Sequence, residues 1–234
     1  MRAIVGIKRF DKDFKLLEKR SFPSRSFTFN FIKLLYLYFA DVQDAAGQTG
    51  VDITNTARAI TNQDYTSGAQ YQWWKGQGMI SAPGGDAGIY CAPASHFSAG
   101  VQGYYNLRLL AGNMVGLQVG TGVGAVAPGD YAMGTRVANG GAANQLEYGA
   151  CELLNIVFAD PNGQFTIRRY FTNNSGGGIT VQETGLYSPF IRGPFDSDGN
   201  NTADLFCICR DLTGAVAVAD TEILEMTYTI QITV

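Results

Sequence analysis

One histidine, His96, stands in a chain of 234 residues that also holds only four cysteines. A single imidazole excludes the His-rich metal sites and gives histidine-based catalysis little to work with. Its surroundings, Ala94-Ser95-His96-Phe97-Ser98, contain no Gly-x-Ser-x-Gly elbow for a serine nucleophile. Four widely spaced cysteines in a chain of this length do not make a disulfide scaffold. Charge is scarce as well, at 16%, where an average globular chain carries about 25%. Long apolar runs are missing: the longest, Phe27 to Ala40, spans 14 residues and contains Asn30 and Lys33. A membrane-spanning helix needs about 20 apolar residues, so this stretch reads as a packed or interface helix and no membrane span is expected. No short basic region stands directly before that run, so a cleaved secretory signal is not expected.

What is present is apolar and rich in glycine: 46% hydrophobic residues and 29 glycines. This is enough for one domain with a real core, or one domain with a small appendage. The charge is unevenly placed. Residues 1–40 hold nine Lys and Arg against three acids, and the remaining 194 hold eight against seventeen. Such polarity favours an attachment segment at one end, residues 1–48, and a separate body, residues 49–234. The body's acidity and its lack of a basic and aromatic stripe argue against nucleic acid as a partner.

Period and turn chemistry predict a mainly β fold: an antiparallel sandwich, jelly-roll-like, preceded by a β-hairpin and one apolar α-helix. Ala3–Phe10 and Lys15–Phe22 flank the turn residues Asp11-Lys12-Asp13-Phe14. Pro23 then breaks the chain, and Ser24 or Ser26 is placed to cap a helix running to about Ala40. The Gly-rich region 76–149 gives no clear strand pattern and reads as short strands joined by long loops. Further on, Glu152–Phe158 reads as a strand, Asp160-Pro161-Asn162-Gly163 as a turn, and Phe165–Thr172 as the returning strand. A second loop, Asn173–Gly178, leads to a strand over Ile179–Tyr187. In Ile223–Val234 every even position from Leu224 to Val234 is apolar, the signature of a half-buried strand. If the strands on either side of Asn173–Gly178 form a hairpin, Arg169 falls opposite Glu183, and two charges on an apolar face neutralise each other.

Few patterns point to chemistry. Asp196, Asp198, Asn200, Thr202 and Asp204 place oxygens at alternate positions, the donor type calcium takes, although Asn201 and Cys207 stand where an EF-hand loop needs Gly and a carboxylate. Asp, Asn and Gly are equally the residues of ordinary exposed turns. Cys207-Ile208-Cys209 puts two thiols on one side of a strand with neither zinc-knuckle nor redox spacing, so they read as small reduced core residues. Gly116–Gly124 superficially resembles a phosphate loop but lacks the Lys-Ser/Thr and the helix that must follow. Trp73 and Trp74 point to opposite faces if they lie on a strand. Core packing is the plainer reading, with glycan stacking as the alternative.

Arg168–Thr172, Asn173–Gly178 and Ile179–Tyr187, followed by Cys209-Arg210-Asp211 and the Thr-rich terminal strand, resemble β-rich structural proteins of tailed bacteriophages. Pro23-Ser24-Arg25-Ser26-Phe27 leading into an apolar helix is similar to the same kind of protein. The resemblance covers the last third and the N-terminal fifth of the chain and brings no catalytic residues. It implies a non-enzymatic virion component, assembled in the host cytoplasm in many copies as a capsid decoration, tail or neck part. The implied partners are other virion proteins and copies of itself. The basic, apolar N-terminal segment then supplies the expected contacts: Lys8, Arg9, Lys12, Phe27, Phe31, Leu34, Leu35 and Tyr38. The alternative function is a carbohydrate-binding module working through Trp73 or Trp74. No cofactor is expected apart from the calcium candidate at Asp196, Asp198, Asn200 and Asp204.

Overall fold

A computed structural model describes residues 2–24, 26–33, 48–60, 114–154, 156–191 and 203–233. These residues are mainly β. Arg2–Phe10 (β1) and Leu16–Ser24 (β2) form the expected hairpin, and Gln48–Val51 (β3) pairs with Ala57–Ile60 (β4). Then follow Gly116–Gly120 (β5), Ala138–Asn139 (β6), Gln145–Leu153 (β7) and Val157–Ala159 (β8). The last four strands are Asn162–Thr172 (β9), Ile179–Ile191 (β10), Ala203–Val218 (β11) and Ile223–Thr233 (β12). A seven-stranded sheet has the order β2-β1-β12-β9-β7-β6, with β8 also on β9, and a three-stranded sheet has the order β11-β10-β5. Every pairing in these two sheets is antiparallel except β6 with β7.

The two sheets share one core. Val5, Ile7, Ile167, Phe171, Leu224, Met226 and Tyr228 from the large sheet meet Leu117, Val119, Val181, Leu186, Phe206 and Ile208 from the small one. Burial of this apolar surface contributes about 25 cal/mol per Å2 and is the main stabilising term. The predicted alternation of β12 holds where the core is deepest: Leu224, Met226 and Tyr228 are fully buried. It fades toward the strand's end, where Ile232 is exposed. Glu225 points the other way and is nevertheless covered, because Lys8 on the neighbouring strand reaches it at 2.6 Å.

Several expectations need correction. The N-terminal hairpin is not an appendage. β1 lies between β2 and β12, in register from Arg2 opposite Gln231 to Phe10 opposite Ile223, and its Ala3, Val5 and Ile7 are core residues. The helix begins later than predicted, at residue 29. Ser24 belongs to β2, and residues 26–28 are drawn onto the edge of β11 instead of entering a helical turn. There Arg210 N donates to Ser26 O, Thr28 N donates to Ile208 O, and Phe27 bridges Cys209. The Ser26 hydroxyl donates to the Arg210 carbonyl and therefore caps nothing. The strand expected over 152–158 is two strands, β7 starting already at Gln145 and β8 pairing with β9 across the predicted Asp160–Gly163 turn.

The Arg169–Glu183 pairing fails because β9 and β10 belong to different sheets. Asn173–Gly178 is a corner between layers, not a hairpin turn. Asn173, fully buried, fastens that corner by donating from Nδ2 to Gly177 O and Val218 O, while its Oδ1 accepts from Ser175 N. The two cysteines of Cys207-Ile208-Cys209 are also separated. The register of β10 with β11 shifts between Leu186 and Tyr187, so one extra residue of β11 is taken up there. A bulge of this kind turns the following side chain to the other face. Cys209 therefore joins the main core, whereas Cys207 packs with Met133 and Tyr187 on the far side of the small sheet.

Candidate assembly surface

The side chains expected to grip a partner are mostly occupied within the chain. Lys8 pairs with Glu225, and Arg9 pairs with Glu222 at 2.9 Å and Glu18 at 3.4 Å. Arg20 joins that group through Glu18 at 2.7 Å and donates to the carbonyls of Thr213 and Ala215 on β11. The four charges Arg9, Glu18, Arg20 and Glu222 thus close one end of the sandwich, where the sheet edges β2 and β11 meet. Lys12 is different: it sits at the exposed hairpin tip, paired only with its neighbour Asp13. Phe27 and Phe31 stack on each other, ring centroids 4.3 Å apart; Phe31 is a core residue and Phe27, half-buried, packs against the core. Leu34, Leu35, Tyr38, Trp73, Trp74, Asp196, Asp198 and Asn200 lie outside the described residues. Asp204 lies on β11, opposite Phe190 in the ladder. Among the described residues no group of three His, Cys, Asp or Glu side chains is placed to hold a metal.

A surface that sequence reasoning missed lies at the opposite end of the large sheet. Phe158, Gly163 and Ile232 stand opposite one another across β8, β9 and β12. They share the core-facing side with Phe165, Ile167 and Tyr228, since alternate residues of a strand share a face. Yet Phe158 is 83% exposed, Ile156 just before β8 is 62% exposed and Ile232 is 55% exposed. Strand β5 begins at Gly116, level with Cys151 and Arg169. The first residues of β9 run past that point, and there the core-facing side of the sheet forms an apolar ledge that no other described strand pairs over. A Cβ on Gly163 would rest against the Phe158 ring at 3.4 Å, an ordinary contact. The only sequence signal is the apolar run Ile156-Val157-Phe158 itself, which looks the same whether buried or bare.

A second apolar group marks the hairpin tip. Phe14 packs edge-on against Tyr170 and tilted against Phe10, and it leaves Leu16 and Leu17 exposed beside Lys12, Lys15 and Lys19. The cysteines offer no reactive centre among the described residues: Cys151, Cys207 and Cys209 are buried, and desolvation pushes the Cys207 and Cys209 thiols well up. Gly116–Gly124, the stretch with a superficial phosphate-loop look, is strand β5 and the start of a loop whose N–H groups already hold an internal carboxylate, Glu183. No helix of the described residues is long and apolar enough to cross a membrane. Compared with known protein families, curated protein sequences and solved structures, the chain matches none.

Proposed function

We propose that this chain is a non-enzymatic structural subunit of a bacteriophage particle, a capsid decoration or a tail or neck component that works by contact. The observation that supports this reading best is the ledge of Ile156, Phe158 and Ile232. A sandwich that leaves part of its core-facing side bare presents the kind of apolar patch that marks contact sites. Low overall charge suits the same role, because interface cores are depleted of charged residues. The bacteriophage setting comes from the sequence resemblance alone.

Phe158→Asp tests the contact. The ring is mostly exposed, so the sandwich is expected to keep its melting temperature within a few degrees. Association with itself or with particles should weaken at least about tenfold, as for loss of a central apolar anchor. Sedimentation velocity of the free protein and electron-microscopic copy number on purified particles are the two readouts. A wild-type protein that is monomeric in solution and missing from particles would overturn the reading.

A further inference from the structure

The outer side of the small sheet is covered by a loop, residues 121–137, and the way it is held is unusual. Glu183 on β10 is fully buried. Its Oε1 accepts from Gly122 N at 3.0 Å and Thr135 N at 2.7 Å, and its Oε2 accepts from Gly134 N at 3.0 Å and Arg210 Nε at 2.9 Å. Arg210, on the adjacent β11, reaches further out along the loop. It donates to Asp130 Oδ2 at 2.8 Å and to Gly124 O at 3.1 Å. Two side chains therefore bind both the outgoing and the returning limbs. The glycines make room for the carboxylate: a Cβ at Gly122 would collide with Glu183 Oε1, and one at Gly120 would lie 2.7 Å from it. Charge-assisted bonds from one acceptor to several donors are strong, and they are lost together when that acceptor is altered.

Under the loop lies a small apolar cluster separate from the main core: Met133, Tyr187 and Cys207, with Ile53 beside it. Met133 is the loop's own contribution, and its backbone N–H donates to the Tyr187 hydroxyl at 2.8 Å. Cys207 is thus shielded by the loop, while Cys209 and Cys151 are shielded by the two sheets.

From this arrangement we infer that residues 122–134 form a clasp that opens as one unit, with the Glu183 carboxylate as its lock and the Met133–Tyr187–Cys207 cluster as the surface it uncovers. The roots stay in place, because Thr121 N donates to Thr135 O and Val137 N to Val119 O independently of Glu183. Opening is a local event, with a free energy below that of global unfolding. This inference does not depend on the assembly reading above.

The three described cysteines, Cys151, Cys207 and Cys209, supply the test. Native protein is treated with a maleimide and the modified cysteines are identified by peptide mass. In Glu183→Gln the amide keeps the size of the carboxylate but turns N–H donors toward Gly134 N and Arg210 Nε. Cys207 modification is expected to rise at least about tenfold, with Cys151 and Cys209 remaining protected. Equal acceleration at all three cysteines would show global unfolding and overturn the clasp, and so would an unchanged Cys207 rate. Should Glu183→Gln fail to fold, hydrogen exchange on the wild-type protein decides the question. The amides of Gly122, Gly134 and Thr135 are expected to share one protection factor, at least about tenfold below those of Leu224 and Met226. Protection equal to that of β12 would overturn the proposal.

Discussion

Raising the pH from 9 to 12 is expected to unfold the protein in one steep transition. Four buried groups and the half-buried Tyr148 hold their protons more tightly in the fold than in the unfolded chain. Desolvation pushes Tyr148 up to about 12 and drives Tyr187, Tyr228, Cys207 and Cys209 upward as well. The neutral forms are also tied in: Tyr148 donates to Val137 O and Tyr228 donates to Asp211. A raised pKa in the fold means that the folded state keeps a proton the unfolded chain has already released. The stabilisation is complete below the ordinary thiol and phenol values and drains away as pH climbs through the raised ones. Each such group costs up to about 1.4 kcal/mol per pH unit in that window. Several together exhaust a total stability of about 5–15 kcal/mol. Circular dichroism and tyrosinate absorbance followed against pH should change at one midpoint. Buried tyrosines that ionise near pH 10 while the strands persist would contradict the packing described for them.

Arg169→Leu is expected to be the most damaging single substitution on the large sheet, costing about 3–5 kcal/mol. The guanidinium is fully buried on the core side of β9. It donates from Nε to Gly149 O at 2.9 Å, and from Nη1 to Val115 O at 2.9 Å and Leu117 O at 2.8 Å. Its carbon Cζ lies 5.2 Å from the Tyr148 ring centroid. One side chain thus joins β9 to β7 within its own sheet and to β5 in the other. Leucine is apolar but shorter, and it leaves the buried carbonyls of Val115 and Leu117, and the more accessible one of Gly149, without that donor; each buried unmet group costs about 1–3 kcal/mol. Lysine is expected to recover little, since one ammonium cannot reproduce the planar fork. Arg168 provides the control. It faces outward and pairs with Glu152 at 2.6 Å at a partly exposed site, so Arg168→Leu should cost less than about 1 kcal/mol. Urea titration of the three variants checks the ranking, and an Arg169→Leu protein as stable as the Arg168 variant would refute it.

What the sequence made legible was local. The hairpin around Asp11–Phe14, the Asp160–Gly163 turn and the inward set Leu224, Met226 and Tyr228 follow from period and turn chemistry over fewer than a dozen residues. The position of the hairpin inside the large sheet was not legible, because β1 pairs with a strand more than 200 residues away. Arg169 and Glu183 were recognisable as charges on apolar faces, and both are indeed buried. Their partners were hidden because Asn173–Gly178 has the composition of a hairpin turn but serves as a corner between sheets. The same limit applies to Cys207 and Cys209. A strict two-residue period places them together, and a single bulge, which leaves no mark in composition, sends them to different faces. The ledge was invisible for a third reason: an apolar run such as Ile156-Val157-Phe158 reads the same whether it is buried or exposed.

The sandwich is chemically lopsided. Among the described residues one pole carries the charges of Arg9, Glu18, Arg20 and Glu222 beside the exposed hairpin-tip leucines, and the other carries hydrocarbon alone. Two copies meeting ledge to ledge would close a two-fold pair, whereas a ledge seated on the hairpin tip of the next copy would run on from copy to copy.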